Sequence, residues 1–247
     1  MVAGGQGRES KMSGGSDGKH MAGTVLITGG TGGLGAAVVE TFAADGWRIV
    51  APVRPGTAGR PPAGAVAVEA DLTVPEDVDN AMTVAAGDTA APLRAVVNTV
   101  GGYAGSGLTH ETGVDAFEQM IRVNLRPTYL VTASALPHLL AAGGGSIVCV
   151  SSRAAVSPFP GAAGYVTAKA AVLAFAGAVA VEYRKQGVRC NTVLPSVIDT
   201  PANRAAQPDA DFARWVAPAD IARVILFLAS DASGPTSGAA IPVYGRA

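Results

Sequence analysis

A tyrosine and a lysine stand four residues apart in the segment Tyr165-Val-Thr-Ala-Lys169, near the start of a long apolar stretch. If that stretch is helical, both side chains project from one face and the ammonium can lie close to the phenol. A phenol has an ordinary pKa of about 10, which a neighbouring cation lowers by favouring the phenolate. Ser152 precedes Tyr165 by 13 residues. These residue types predict a site where a tyrosine transfers a proton and a serine hydroxyl polarises a carbonyl oxygen.

A Tyr–Lys pair at this spacing also occurs on ordinary helices, so its surroundings must be weighed. Ser151 and Ser152 follow a predicted strand, which raises the alternative of a serine hydrolase. That alternative lacks a G-x-S-x-G elbow and a suitably placed histidine, because we expect His110 and His138 on a surface loop and a surface helix. Carbonyl chemistry is therefore favoured over acyl transfer.

A glycine-rich segment, Thr28-Gly-Gly-Thr-Gly-Gly-Leu-Gly35, follows the first predicted strand and opens a predicted helix. Glycines at such a turn let the backbone approach a pyrophosphate, and the helix N-terminus supplies N–H groups and the positive end of the helix dipole. Glycines alone would also suit a structural turn. The position between a strand and a helix predicts dinucleotide binding.

These residues follow segments that alternate between strand and helix patterns. Continuous apolar runs, typical of strands buried on both faces, cover Thr24–Thr28, Arg48–Val53, Ala65–Ala70, Leu93–Thr99, Ser146–Ser151, Val188–Leu194 and Ala239–Val243. Helix-like stretches cover Gly33–Asp45, Pro75–Ala86, Asp115–Ala141, Ala162–Gln186 and Pro218–Ser230. The alternation predicts an α/β fold, a single doubly wound Rossmann domain over 23–247 with a seven-stranded parallel sheet and helices on both faces. Ligands bind such sheets at the carboxyl ends of the strands.

Composition limits the possible partners. Eighteen Lys and Arg against 19 Asp and Glu leave a formal charge of -1, so we expect neither nucleic acid nor an anionic membrane as a partner. The longest apolar run, Ala170–Val181, is shorter than a membrane span. Cys149 and Cys190 lie in apolar runs and the histidines are scattered, so no metal site is expected. Residues 1–22 are expected to be a flexible polar tail.

The spacing T-G-x-x-x-G-x-G resembles the short-chain dehydrogenase/reductase family, and the resemblance extends from about residue 23 to residue 245. Further residues match that family's pattern in order, namely Asp71, Asn98-Thr-Val-Gly101, Asn124, Ser152, Tyr165, Lys169, Pro195 and Thr200. The resemblance implies that Tyr165 is the acid, Ser152 holds the carbonyl oxygen and Lys169 tunes the tyrosine and holds the nicotinamide ribose. It also implies that Asn124 anchors a water for proton resupply. Ser196 departs from the pattern, because glycine is usual there.

The cofactor implied is NADP(H). The second strand ends in Val53, where a carboxylate would bind a ribose 2'-hydroxyl, and Arg54 follows, which would attract a 2'-phosphate. A solvated loop charge is the alternative for Arg54, and a turn residue is the alternative for Asp71. The cofactor residues expected are Gly29, Thr31, Gly32, Gly33, Leu34, Gly35, Arg54, Asp71, Leu72, Asn98, Val100, Gly101, Tyr165, Lys169, Pro195, Val197 and Thr200.

The expected function is NADPH-dependent reduction of a small-molecule ketone or aldehyde, with the 3-oxoacyl thioester reductases as the most similar subclass. The substrate residues expected are Gly102, Tyr103, Ser152, Tyr165, Phe212 and Trp215. The segment from Thr200 to Trp215 also resembles dihydropteridine reductases, although those enzymes typically lack the serine. A non-enzymatic sensor of NADP(H) is a third reading, disfavoured because the catalytic residues are kept.

The helix that follows Lys169 is apolar all round, so a second surface must cover it. Its small residues allow close helix packing. We expect a homo-oligomer, a dimer or tetramer, with Ala174 and Ala178 near a two-fold interface, and a cytoplasmic location.

Overall fold

The computed structural model describes residue 1 and the ranges 23–56, 64–105 and 107–246; apart from Met1, the predicted tail lies outside them. A seven-stranded parallel sheet forms the centre of the fold, as the sequence predicts. The order of its strands is β3-β2-β1-β4-β5-β6-β7. Its strands are β1 Thr24–Ile27, β2 Arg48–Val53, β3 Ala65–Glu69, β4 Leu93–Asn98, β5 Gly145–Val150, β6 Val188–Pro195 and β7 Ala240–Val243. Each coincides with a predicted strand to within about one residue at either end.

Helices pack on both faces of this sheet. They are α1 Gly33–Ala44, α2 Pro75–Ala86, α3 Val114–Asn124, α4 Arg126–Ala141, α5 Ala163–Glu182, α6 Pro201–Ala206 and α7 Pro218–Ala229. Successive side chains of β1 point to opposite faces of the sheet and pack into two different hydrophobic cores. Leu26 belongs to one core, and Val25 and Ile27 belong to the other. The first core includes residues of α2, α4 and α5, and the second includes residues of α1 and α7. Burial on both faces explains the continuous apolar runs of the central strands, whereas β3 and β7 at the sheet edges have no fully buried residue.

The strand order reverses between β1 and β4. The strand β1 pairs with β2 on one side and with β4 on the other, although β4 follows only after β3 and α2. The connections after β1 and β4 therefore leave in opposite directions, which opens a crevice at the carboxyl edge of the sheet. The glycine-rich turn after β1 lies at this point.

Two details of the predicted helices are wrong. The stretch expected as one helix over Asp115–Ala141 is two helices that meet at Leu125. Pro127 lies in the first turn of α4 and has no N–H to continue the α3 hydrogen-bond ladder, which explains the break. The helix α6 was not expected, and the side chain of Thr200 caps it by accepting a hydrogen bond of 3.2 Å from the backbone N–H of Asn203.

The helix α5 is long and apolar enough, by length and composition, to cross a membrane, and it is the only such helix among the residues that the structure describes. In the fold it packs against β5, β6 and α3. Its buried residues include Val172, Ala176 and Val179, which belong to the core shared with the sheet. One face of α5 is therefore buried against the sheet, while 39% of its apolar window is buried in all.

Candidate active site

A cleft of about 460 Å³ lies at the crevice between β1 and β4. Most of the residues predicted to bind the cofactor line it, namely Gly29, Thr31, Gly32, Gly33, Leu34, Gly35, Arg54, Asp71, Leu72, Val100, Gly101 and Thr200. Thr99, which belongs to the predicted Asn98–Gly101 segment, also lines the cleft, and the lining residues not predicted from the sequence are Pro52, Ala70, Thr73, Val123, Pro127, Ile198 and Asn203. Pro52, Ala70, Thr73 and Ile198 lie beside a predicted cofactor residue or close to a strand end, which is the signal that could have found them, whereas Val123, Pro127 and Asn203 lie in helices and carry no such signal.

Three positions of the glycine-rich turn have no room for a side chain or favour glycine by their backbone conformation. Gly29 has a φ of +66°, a conformation that favours glycine, and a Cβ atom at Gly35 would overlap the carbonyl oxygen of Gly29. A Cβ atom at Gly33 would lie 2.6 Å from Cγ2 of Thr200 on the far wall of the cleft. The turn thus keeps the backbone at the start of α1 bare toward the cleft.

Arg54 and Asp71 lie at the end of the cleft beside β2 and β3. The Asp71 carboxylate accepts hydrogen bonds from the backbone N–H of Thr73, at 2.9 Å, and from its hydroxyl, at 2.8 Å. These bonds lower the pKa of Asp71, and the positive charge of Arg54 adds a smaller lowering. Asp71 therefore forms a turn and also faces the cleft, so both interpretations of this residue agree with its position.

Five predicted cofactor residues do not line the cleft, namely Asn98, Tyr165, Lys169, Pro195 and Val197; Tyr165 and Lys169 lie with the catalytic candidates described below. Asn98 is buried beneath it, where its side-chain amide donates hydrogen bonds to the hydroxyl of Thr132, at 3.1 Å, and to the Sγ atom of Cys149, at 3.8 Å. Pro195 ends β6, and the carbonyl oxygen of Val197 accepts a hydrogen bond from the N–H of Val216. Asn98 thus contributes a buried link between β4 and α4.

The catalytic candidate Lys169 is buried, with 5% of its surface exposed. Its Nζ atom donates a hydrogen bond of 3.1 Å to the carbonyl oxygen of Val150, the last residue of β5. The hydroxyl of Ser151 donates a hydrogen bond of 2.7 Å to the backbone carbonyl of Lys169, which fixes the helix to the strand. Burial disfavours the charged ammonium and lowers the pKa of Lys169 to about 8.

Tyr165 lies one turn before Lys169, and the Lys169 Nζ atom is 6.0 Å from the centroid of its ring. The pKa of Tyr165 is raised, chiefly because burial disfavours the phenolate; a hydrogen bond with the Ser152 side chain lowers it, and the neighbouring Tyr103 raises it further. The sequence analysis expected Lys169 to lower this pKa. In the structure, burial outweighs the favourable groups, so the protein's own environment keeps the phenol protonated.

Asn124 connects α3 to the loop after β4. Its side-chain amide donates to the carbonyl oxygens of Gly102, at 2.9 Å, and Met120, at 3.0 Å, while its Oδ1 atom accepts from the N–H of Gly102, at 3.1 Å. A Cβ atom at Gly101 would lie 2.5 Å from that Oδ1 atom and 3.0 Å from Nζ of Lys169. Asn124 and Lys169 therefore converge on the bare backbone of Gly101.

Of the predicted substrate aromatics, Tyr103 contacts this group of residues, whereas Phe212 and Trp215 form a separate pair. The Tyr103 ring contacts the Tyr165 ring edge-on, with centroids 5.2 Å apart, and Phe159 lies 6.2 Å from Tyr103. Phe212 and Trp215 pack on each other with centroids 4.7 Å apart. The sequence analysis did not single out Phe159, because its position near Tyr103 depends on two loops that are distant in the sequence.

Among the residues that the structure describes, no group of three or more His, Cys, Asp or Glu side chains is placed to hold a metal ion. The chemical groups at the carboxyl edge are a serine, a tyrosine and a buried lysine beside a glycine-lined cleft. Together with the strand order, they define an oxidoreductase of the Rossmann type.

The family follows from comparison with known proteins. The family model described as short chain dehydrogenase matches residues 23–211, and the chain belongs to this family, whose members are oxidoreductases that use nicotinamide cofactors. The chain is 32% identical over 246 residues to 2-(R)-hydroxypropyl-CoM dehydrogenase of Xanthobacter autotrophicus, covering 91% of this chain and 98% of that protein. It is 33% identical over 230 residues to the 3-oxoacyl-[acyl-carrier-protein] reductase MabA of Mycobacterium tuberculosis, covering 90% and 91%.

Solved structures agree with this assignment. A short-chain type dehydrogenase/reductase from Mycobacterium ulcerans has a TM-score of 0.83 and 26% identity, covering 90% of this chain and 88% of that one. A structure of ElxO with NADP bound has a TM-score of 0.82 and 26% identity, covering 91% and 98%.

Proposed function

We propose that the protein is an NADPH-dependent carbonyl reductase that converts a ketone or aldehyde, including a 3-oxoacyl thioester, to an alcohol. The observation that carries this proposal is the position of Tyr165, whose ring centroid lies 6.0 Å from Nζ of Lys169, an atom that itself approaches Gly101 in the wall of the glycine-lined cleft. Burial raises the pKa of Tyr165, which favours its protonated form. A protonated phenol beside a hydroxyl suits an acid that must act on a carbonyl oxygen. The site's relation to the reductase MabA supports the reductive direction.

The reaction adds a hydride to the carbonyl carbon and a proton to its oxygen, and NADPH supplies the hydride when it is bound. Tyr165 donates the proton, and the hydroxyl of Ser152 donates a hydrogen bond to the same oxygen and fixes its position. Lys169 and Asn124 lie behind Tyr165 and converge on Gly101. They are placed to return a proton to the tyrosine after each turnover.

The cleft fits the cofactor by its bare backbone. The glycines at positions 29, 33, 35 and 101 lie where Cβ atoms would meet the cleft wall or the catalytic side chains. The N-terminus of α1 suits a pyrophosphate, and Arg54 lies in the wall where a 2'-phosphate would need a positive charge. We assign Asp71, Leu72 and Val100 to the adenosine end and Thr200 to the nicotinamide end. Asn98 would support the adenosine end, and Pro195 and Val197 the nicotinamide end, from outside the cleft lining.

A second candidate is the reverse reaction, oxidation of an alcohol. Its support is the relation to 2-(R)-hydroxypropyl-CoM dehydrogenase, a protein named for that direction. The same phenol that donates a proton in reduction would accept one in oxidation, so its geometry serves both directions, and we place reduction first because the reductase MabA is named for that direction.

The test is an assay of NADPH oxidation with acetoacetyl thioesters, simple diketones, quinones and quinonoid dihydropterin side by side. We expect reduction of at least one ketone class. Tyr165→Phe should lower kcat at least about 100-fold while the Kd for NADPH changes little, because proton transfer is lost and cofactor contacts are kept. Ser152→Ala should act likewise on ketones.

Two results would contradict the proposal. If NADPH binds and no carbonyl compound is reduced, the protein is not a carbonyl reductase. If Ser152→Ala keeps full activity on every accepted substrate, the pteridine alternative replaces the ketone mechanism. A homo-oligomeric, cytoplasmic enzyme organised as one domain over 23–247 completes the proposal.

A further inference from the structure

Two aromatic rings form a continuous surface with the proposed acid. The Tyr103 ring meets the Tyr165 ring at an interplanar angle of 86° with centroids 5.2 Å apart, and the Phe159 ring lies 6.2 Å from Tyr103 at 49°. Tyr103 lies in the loop after β4, and Phe159 lies between β5 and α5. Because β4 and β5 are paired, the sheet holds these two loops side by side.

The residues that the structure describes leave much of this aromatic surface exposed. Tyr103 is 59% exposed and Phe159 is 46% exposed, whereas Tyr165 beside them is largely buried. The residues next to Tyr103 in its loop are small, namely Gly101, Gly102, Ala104 and Gly105. Adjacent exposed rings beside a reactive group gain free energy when an apolar partner covers them.

We infer that Tyr103 and Phe159 form a binding subsite for an aromatic or other planar apolar group bonded directly to the reacting carbonyl. The inference rests on the proposed function, because a carbonyl oxygen held by Tyr165 and Ser152 places its substituents beside the Tyr165 ring. A planar ring at that position can stack on Tyr103 or meet Phe159 edge-on. Such aromatic pairs contribute more than the same buried area of a saturated group.

The experiment compares acetophenone with cyclohexyl methyl ketone, two methyl ketones of similar size of which only the first carries a planar ring. The measured quantity is the ratio of their kcat/KM values with NADPH, followed from wild type to variant so that the intrinsic reactivity of each ketone cancels. Tyr103→Leu and Phe159→Leu should each lower the acetophenone-to-cyclohexyl ratio about three- to tenfold. Tyr103→Phe, which keeps the ring, should retain the ratio.

The matched control is Phe227→Leu, which removes a ring of similar exposure from helix α7. It should leave the ratio unchanged, and the Kd for NADPH should be the same in all variants. An unchanged ratio in both Tyr103→Leu and Phe159→Leu overturns the subsite, as does an equal loss for both ketones. In either case the proposed function stands as long as Tyr165→Phe abolishes the reduction. If wild type reduces no carbonyl compound at all, the proposed function fails and the subsite fails with it.

Discussion

The Nζ atom of Lys169 donates a hydrogen bond of 3.1 Å to the carbonyl oxygen of Val150, so an ammonium from α5 is anchored on the last residue of β5. The anchor lies inside the core, because Cys149 and Cys190 of neighbouring strands are buried beneath it. A charged group in this position opposes folding unless the hydrogen bond compensates its loss of water. The pKa of Lys169 is lowered because burial destabilises its charged form.

The first prediction concerns stability against pH. The pKa of Lys169 is about 8 in the folded protein and about 10.4 in an unfolded chain. Between these values the unfolded chain binds more protons, so the free energy of unfolding rises with pH across this window, and below pH 8 the folded state carries the full cost. Relative to Lys169→Met, wild type should gain about 1.5 kcal/mol between pH 8 and 9.5.

Urea unfolding of both proteins at several pH values measures this difference. Lys185→Met is the control, because Lys185 is exposed beyond the end of α5. It should follow the wild-type profile. Parallel profiles for wild type and Lys169→Met would show that the buried amine does not titrate in this range.

The second prediction concerns the convergence of Asn124 and Lys169 on Gly101. In Gly101→Ala, the new methyl group would stand 2.5 Å from Oδ1 of Asn124 and 3.0 Å from Nζ of Lys169, so both side chains must move. We expect kcat to fall at least about tenfold, because catalytic groups displaced by a fraction of an ångström lose much of their effect. Steady-state kinetics with the best ketone measure the change.

Gly113→Ala is the control for this substitution. Gly113 has a φ of -64°, and nothing lies within 4 Å of a Cβ atom there. The control should keep wild-type kcat. A Gly101→Ala enzyme with the same kcat would mean that neither side chain needs its present position.

The third prediction concerns the choice of cofactor. Arg54 lies in the cleft wall beside Asp71. A charge-assisted contact with a 2'-phosphate should make the binding free energy of NADPH more favourable than that of NADH by about 1 to 3 kcal/mol. Arg54→Ala should remove most of this difference. Fluorescence titration with both cofactors tests the assignment, which equal affinities in the wild-type protein would overturn.

The central strands could be predicted from the sequence because they are buried on both faces, whereas the edge strands β3 and β7 are half-buried or exposed and still carry apolar runs. Val25 and Leu26 serve different cores, so every position of the strand must be apolar and the run is visible in the sequence. The glycine-rich turn and the pair Tyr165 and Lys169 are local patterns, and they were found for that reason. Their roles toward a cofactor stay predictions.

Contacts between distant loops could not be predicted in this way. Phe159 meets Tyr103 only because β4 and β5 are neighbours, and Asn98 is paired with Thr132 across 34 residues. The break at Leu125, in contrast, has a local signal in the sequence, because Pro127 cannot continue the hydrogen bonds of α3. The raised pKa of Tyr165 depends on burial, which no spacing of residues encodes.

The fourth prediction concerns assembly. Ala174 and Ala178 are exposed on α5, four residues apart, and Val181 on the same helix is 68% exposed. Residues four apart lie on one face of a helix, and small side chains there let a second helix approach closely. An exposed alanine alone costs little, so the exposed valine is the stronger reason to expect a covering surface.

We expect a homo-oligomer in which this face of α5 contacts a second copy of the chain across a two-fold axis. Ala178→Arg places a long charged side chain in that contact and should shift the mass seen by light scattering toward the monomer. Glu182→Arg is a poor control because it lies one turn further on the same helix, so we choose Ala219→Arg on the exposed start of α7. That variant should keep the wild-type mass. A wild-type protein that is monomeric at micromolar concentration would refute the expectation, because the exposed face of α5 would then have no second copy to cover it.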